Sequence, residues 1–298
     1  LECGRLNING NQDKNALKGI IPWNVGIYKK NVNTSNHDFI CGGTIIGPKF
    51  IVSVAKCFYN TQFINDKRLT DYKSVIFKVS IGKYVENLSQ ADNKSIKNVD
   101  IIYLNEDFHV SDDLFLNDIA IIVLTDRITF SNVVTPVCID WYDKYNVLNG
   151  AQGKIVSWTL KRASGIYSSE SSLTYIDNES CRNTYGLKYM TDDIFCGSSA
   201  IEERKDLMYF GTGLTFIHSN NTHFLTGVAT NDGKSNNNTI VYLTDIKYHI
   251  NWLRKKYIKH LNHDIPYCIL PPVEGVTYSY EGSHKILAHG TLINQYRT

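Results

Sequence analysis

The chain is 298 residues long, and its 31 basic side chains nearly balance 29 acidic ones. That length allows a large buried core, and the balanced charge with no dense basic block argues against nucleic acid or an anionic membrane as a main partner. Apolar runs are short, as in Ile119–Leu124, and none approaches the roughly 18 residues of a membrane span.

From Gly19 to Leu243 the chain reads as short strands rich in Val, Ile, Tyr, Phe and Thr. In chain order they are Val25–Tyr28, Thr44–Ile46, Ile51–Val54, Val75–Ile81, Ile119–Leu124, Lys154–Trp158, Leu214–Ile217 and Phe224–Val228. Polar turns rich in Asn and Gly separate them, a pattern of all-β barrels or sandwiches. One helix follows. Ile246, Ile250, Leu253 and Tyr257 recur on one face of a 3.6-residue period. Thr244 or Asp245 is the expected cap, and Lys255, Lys256 and Lys259 suit the C-terminal end of the dipole. Beyond Lys259 the composition shifts towards Pro and Gly. This predicts one unit over 1–259, then a linker to about Tyr267 and a short second unit from Cys268, within 260–298.

The chain opens at Leu1 without an initiator Met, as expected of a processed piece, so its compartment is argued from other features. Seven cysteines lie far apart with no C-x-x-C pair, which gives zinc or thioredoxin chemistry no support; no metal or cofactor is expected. Six Asn-x-Ser/Thr sequons occur, at Asn33, Asn87, Asn93, Asn178, Asn220 and Asn237. Sequons and dispersed cysteines together point to a secreted, extracellular protein.

Five segments in order carry a family resemblance: Pro22-Trp23-Asn24-Val25-Gly26, Cys41-Gly42-Gly43-Thr44, Val54-Ala55-Lys56-Cys57, Leu116-Asn117-Asp118-Ile119-Ala120 and Pro136-Val137-Cys138. With Ser157-Trp158 and the closing stretch from Tyr242 to Leu253, they resemble the chymotrypsin/trypsin family of serine proteases over Cys3 to Lys259. The opening Cys3-Gly4-Arg5 and the long stretch Ser74–Asp118 look like the protease domain of insect modular serine proteases, which start immune cascades. The resemblance implies two six-stranded antiparallel β-barrels with a C-terminal helix. It also implies disulfides Cys3–Cys138, Cys41–Cys57 and Cys181–Cys196, leaving Cys268 unpaired. The stretch from Cys268 through Tyr280 looks like the first half of a sushi (complement control) module, with a disordered tail as the alternative.

Serine-protease chemistry needs a hydroxyl nucleophile, a histidine base and a buried aspartate that orients the imidazole. By the resemblance the histidine position is Lys56, the aspartate survives as Asp118, and the nucleophile position falls on Gly211. A lysine near pKa 10.4 stays protonated at neutral pH and cannot relay protons both ways, and glycine offers no attacking atom. Phe210 occupies the position of the aspartate that should pair with a new amino terminus, and Asn7-Ile8-Asn9-Gly10 is a poor start for such a terminus. Tyr209 replaces an oxyanion-binding glycine. Lys205 stands where trypsin-like members keep a pocket acid, and no cysteine near Leu207 braces that pocket. His109, His218 and His223 read as surface or half-buried side chains, not as a displaced base. A Lys56–Asp118 ion pair would keep the old site as a structural contact.

The expectation is a non-catalytic homologue that binds another protease, a zymogen or an inhibitor in an extracellular, innate-immune type cascade. One alternative is an active serine-type endopeptidase using Lys56 as base and Thr212 as nucleophile, a lysine dyad of the kind known elsewhere. Another is a sugar- or surface-recognition module using some of the 19 tyrosines, although aromatics more often fill cores.

Overall fold

The computed structural model describes residues 3–6, 21–31, 33–34, 36–59, 68–69, 76–82, 88, 95–111, 114–161, 165–185, 190–199, 207–218, 221–235, 238–260, 277–281 and 285–289. In chain order the first half contains β1 (Asn24–Lys30), β2 (His37–Gly47), β3 (Phe50–Ser53), a 3₁₀ turn (Ala55–Cys57), β4 (Arg68–Leu69), β5 (Phe77–Ile81), β6 (Ile96–Leu104), β7 (His109–Ser111), β8 (Leu114–Leu116) and β9 (Ala120–Leu124). The second contains β10 (Gln152–Lys161), β11 (Gly165–Ile176), helix α1 (Asn178–Tyr185), β12 (Ile194–Ser199), β13 (Leu207–Met208), β14 (Gly213–His218), β15 (Thr222–Ser235), β16 (Asn238–Asp245) and helix α2 (Ile250–Lys259). A hairpin of β17 (Thr277–Glu281) and β18 (Lys285–His289) follows.

Two closed six-stranded antiparallel barrels result, as expected. The first ring runs β1-β2-β3-β9-β6-β5 and closes by β1 on β5, with β4 added along β6. The second runs β10-β11-β12-β16-β15-β14 and closes by β14 on β10, with β13 added along β10. Closure leaves each ring without a free sheet edge.

Period-two alternation fills each interior. Val25, Ile27, Ile45, Ile51 and Val79 belong to the core that fills the first barrel and extends to Trp158, Val228 and Tyr257. The second barrel closes on Ile155, Leu173, Phe195, Leu214, Phe216, Val241 and Leu243. β9 is buried along its whole length, so its Ala-Ile-Ile-Val-Leu run shows no alternation.

The cysteine pairs Cys3–Cys138, Cys41–Cys57 and Cys181–Cys196 are all bonded. Cys3–Cys138 closes a loop of sequence separation 135, the long-loop case in which chain-entropy arguments give a cross-link most weight. Gly4 beside it donates to Pro136 O and accepts from His223 N. Its φ is +65°, and a Cβ there would lie 2.3 Å from His223 O, so only glycine fits.

Helix α2 starts later than the periodicity predicts. Asp245 ends β16, and its side chain accepts the Lys247 N–H in the intervening turn; the residue preceding the helix is His249. Ile246 is therefore buried from a turn, while Leu253 and Tyr257 form the buried stripe of the helix. Tyr257 stacks on Phe50 at 4.0 Å and so docks the helix against the first barrel. Cys268 lies outside the described residues.

Candidate functional site, a filled cleft between the barrels

Lys56 sits in the 3₁₀ turn that follows β3, beside the Cys41–Cys57 bridge. Asp118 lies between β8 and β9, after Asn117, whose φ of +51° is a left-handed conformation that asparagine tolerates. The Asp118 side chain is fully buried. A buried carboxylate needs donors, and two elements supply them, while a third holds the main chain. Oδ1 accepts the Lys56 backbone N–H at 2.8 Å, and Oδ2 accepts the Thr230 hydroxyl from β15. The Asp118 carbonyl accepts the Thr244 hydroxyl from β16 at 3.0 Å. Burial still pushes the carboxyl up to about 6, against the opposing pull of the Thr230 hydroxyl, the Lys56 charge and the N–H groups of Lys56 and Ala55.

The Lys56 ammonium donates to Thr230 O. It also lies 3.7 Å from the centroid of the Phe210 ring and 5.0 Å from that of Phe115, within range for attraction to the negative ring faces. Thr230 thus joins the two charged residues, its hydroxyl on Asp118 and its carbonyl on Lys56. Nothing in the local sequence around Thr230 marks it for this role.

The segment Tyr209–Thr212 is a tight turn between β13 and β14. Gly42 N donates to Phe210 O at 2.9 Å, Gly211 N to Ala229 O at 2.8 Å and Thr212 N to Tyr209 O at 2.9 Å. The N–H groups of Gly211 and Thr212 are therefore spent within the fold. Tyr209 is buried in the second barrel. Gly211 has φ +80°, and a Cβ there would lie 2.2 Å from Gly42 O and 2.4 Å from Ser53 Oγ. A side chain at 211 would run into the wall of the first barrel. The side chain facing Lys56 is that of Phe210, one residue earlier than the position singled out from the sequence. Counting back from Leu214 by one more residue, four instead of three, reaches it.

Thr212 does not meet Lys56 as a dyad requires: its buried hydroxyl donates to Tyr209 O at 2.5 Å. His223 is neither at the surface nor half-buried. It is 2% exposed, its ring centroid is 5.0 Å from that of Trp23, and burial lowers its pKa to about 4. His109 is exposed, and His218 is partly exposed beside Tyr145. Lys205, the segment Asn7–Gly10 and the sequons at Asn87, Asn93, Asn220 and Asn237 lie outside the described residues. Asn33 is exposed. Asn178, the first residue of α1, donates both side-chain N–H groups, to Thr191 O at 2.8 Å and Ile194 O at 2.7 Å. Among the described residues no helix is long and apolar enough to cross a membrane, and no group of three His, Cys, Asp or Glu is placed to hold a metal ion.

Paired six-stranded barrels, with Lys56, Asp118 and the Phe210 loop meeting at their junction, define the chymotrypsin-like class. The family model described as Trypsin matches residues 8–253, and the chain belongs to that family. It is 28% identical to Serine protease gd of Drosophila melanogaster over 147 residues, 49% of this chain and 26% of that protein. It is 25% identical to Modular serine protease of Drosophila melanogaster over 146 residues, 48% of this chain and 22% of that protein. To the Clotting factor G beta subunit of Tachypleus tridentatus it is 27% identical over 216 residues, 67% of this chain and 63% of that protein. In each case it spans less than two thirds of the relative's length.

Proposed function

We propose that this trypsin-family chain is a secreted, non-catalytic homologue that acts by binding a protease, a zymogen or an inhibitor of an extracellular cascade, as a cofactor or a decoy. The observation that carries the reading is the Lys56 ammonium held between the Phe210 ring and Thr230 O. Where the family's motif keeps an imidazole facing a serine hydroxyl, this chain has a lysine ammonium facing an apolar ring. The cation has no proton vacancy for a nucleophile, and the ring has none to give. Asp118 then serves structure, compensating Lys56 and tying the first barrel to Thr230 and Thr244 of the second. The cascade setting is supported by the relatives, two insect serine proteases and a clotting-factor subunit. Three disulfides favour an oxidising compartment.

The test is hydrolysis of a broad peptide library by the purified chain beside an active family member. Turnover at background in the parent and in Lys56→Met is the expected result. Turnover that disappears with Lys56→Met or Thr212→Val would reject the non-catalytic reading in favour of a lysine dyad.

A further inference from the structure

None of the residues lining a cavity of about 270 Å³ beside the second barrel belongs to the group formed by Lys56, Asp118 and Phe210. It opens where the connection Asp140–Val147 passes the end of β16 and the first residue of α2. Three carboxylates line it, those of Asp140, Asp143 and Asp245. The lining holds a single permanent cation, Lys247, whose Nζ lies 2.9 Å from Asp143 Oδ1. Asp140 instead accepts the backbone N–H of Tyr145 at 2.7 Å, and Asp245 that of Lys247 at 2.8 Å. Two carboxylates therefore share one cation that is already bonded to a third. Burial pushes Asp245 up to about 6, so at neutral pH it is a largely ionised and poorly compensated group.

Aromatic rings line another part of the cavity. Tyr145 stacks on His218 with centroids 4.6 Å apart and packs against Phe224 at 4.6 Å. Burial lowers the His218 pKa, so at neutral pH this imidazole adds no positive charge. Four of the five exposed large apolar side chains among the described residues adjoin a lining residue in the chain: Tyr142, Leu148, Ile217 and Tyr248. Of these, Tyr142, Leu148 and Tyr248 lie in the connections that form the cavity, where they can meet the residues flanking an occupant, whereas Ile217 precedes His218 in β14 and points to the strand's other face.

We propose that this cavity is a docking site for one arginine or lysine side chain of a protein partner, with the exposed apolar side chains gripping the residues that flank it. Carboxylates with ring faces beside them recognise a cation through charge and quadrupole together. The volume argues for a single side chain, since pockets for free small molecules start at about 300 Å³. An apolar surround with a desolvated charged anchor is the usual make-up of a protein hot spot. The site goes beyond the reading of the cleft and does not depend on whether the cleft hydrolyses peptides.

The test is fluorescence anisotropy with a labelled peptide, Gly-Leu-Arg-Phe-Gly, against the same peptide with citrulline for Arg, and with free argininamide as competitor. The Arg peptide is expected to bind roughly tenfold more tightly than the citrulline peptide. Asp245→Asn keeps the acceptor for Lys247 N–H and should weaken the Arg peptide about fivefold or more. If that variant fails to fold, Asp140→Asn carries the same test of charge. Leu148→Ser, at a site 75% exposed, should weaken the peptide about threefold with an unchanged melting temperature. Equal affinity for the two peptides, or unchanged affinity in the folded charge variant, overturns the proposal. So does argininamide competing as well as the whole peptide, which would make the cavity a site for a small amine. Peptide hydrolysis measured on the same variants separates failure here from failure of the non-catalytic reading.

Discussion

At the junction between the barrels, Asp118 is fully buried yet surrounded by its own chain, with the Lys56 N–H, the Thr230 hydroxyl and a nearby ammonium. On the second barrel, Asp245 accepts one backbone N–H and faces open space beside Asp140. Burial raises both carboxyls to about 6, but the compensation differs. The cleft contains its cation and has closed an apolar ring over it, whereas the cavity has three carboxylates for one lysine, whose ammonium is bonded to Asp143. A pocket that has satisfied itself gains little from a ligand, and one left under-compensated gains more. The junction between the barrels is thus the poorer candidate for recognition, and the cavity the better one.

The largest expected effect tests how the cleft is filled. Gly211→Ser places a side chain at φ +80° and against Gly42 O, and should cost about 4 kcal/mol from left-handed strain plus overpacking. Phe210→Ser removes a half-buried ring from the same loop and should cost only about 1–2 kcal/mol. Denaturant unfolding of the two variants decides which residue faces Lys56. A milder loss at Gly211 than at Phe210 would mean that the loop is arranged differently.

Next comes Lys56→Met, which leaves Asp118 buried without its cation. About 2–3 kcal/mol should be lost, less than the roughly 3–5 kcal/mol for breaking a buried ion pair, because Lys56 is only half-buried and its ammonium bonds Thr230 O, acting on the Asp118 carboxylate through charge alone. Unchanged stability would show that Lys56 is not a structural contact at all.

The charge on Asp118 can be isolated by pH. Its folded pKa of about 6 lies above the ordinary carboxylate value of about 3.9, so the folded state holds the proton more tightly than the unfolded one. The stability this contributes is complete below about pH 4 and is lost as pH rises through 6. Asp118→Asn lacks that loss. Measured against the parent by denaturant unfolding, it should gain about 2 kcal/mol of relative stability between pH 4 and pH 7. Over the same range the parent's own curve also carries Asp245, raised to about 6 and acting in the same sense, and His223, lowered to about 4 and acting in the opposite sense, so only the difference from Asp118→Asn isolates this carboxyl. A relative stability independent of pH would place Asp118 in a better solvated setting than its burial implies.

These experiments probe features that were unequally legible in the sequence. Ile51, Val52 and Ile119–Leu124 announce their strands because core positions need β-branched or aliphatic side chains. Asp118 and the pairing partners of its neighbourhood were reachable through ordered motifs. Thr230 was not, because its role depends on β15 lying against the turn that holds Lys56, a contact across 174 residues. Phe210 was read in a different role, one position before the residue expected to face Lys56, because Tyr209-Phe210-Gly211-Thr212-Gly213 contains no serine to anchor the count. Thr244 was read as a helix cap, since a hydroxyl before an apolar stripe serves either role until the end of β16 is located. The cavity left no signal, as its carboxylates come from two distant segments and look like ordinary surface aspartates.

The smallest expected effect concerns Asn178, whose sequon promises a sugar that its geometry opposes. Its amide nitrogen donates to both Thr191 O and Ile194 O, and it holds the approach to β12 against the start of α1. Asp177, the residue before it, caps the same helix through Ser180 N–H at 2.7 Å. A glycan would replace one of the two amide hydrogens, leaving one carbonyl without its donor, at about 1 kcal/mol. Glycopeptide mapping of the chain expressed through a eukaryotic secretory pathway should therefore find sugar on exposed Asn33 and none on Asn178. Asn178→Ala should cost about 1–2 kcal/mol for the same two bonds. Full occupancy at Asn178 with unimpaired stability would mean that α1 and the Thr191–Ile194 segment are joined by other contacts, and that this side of the second barrel is open to modification.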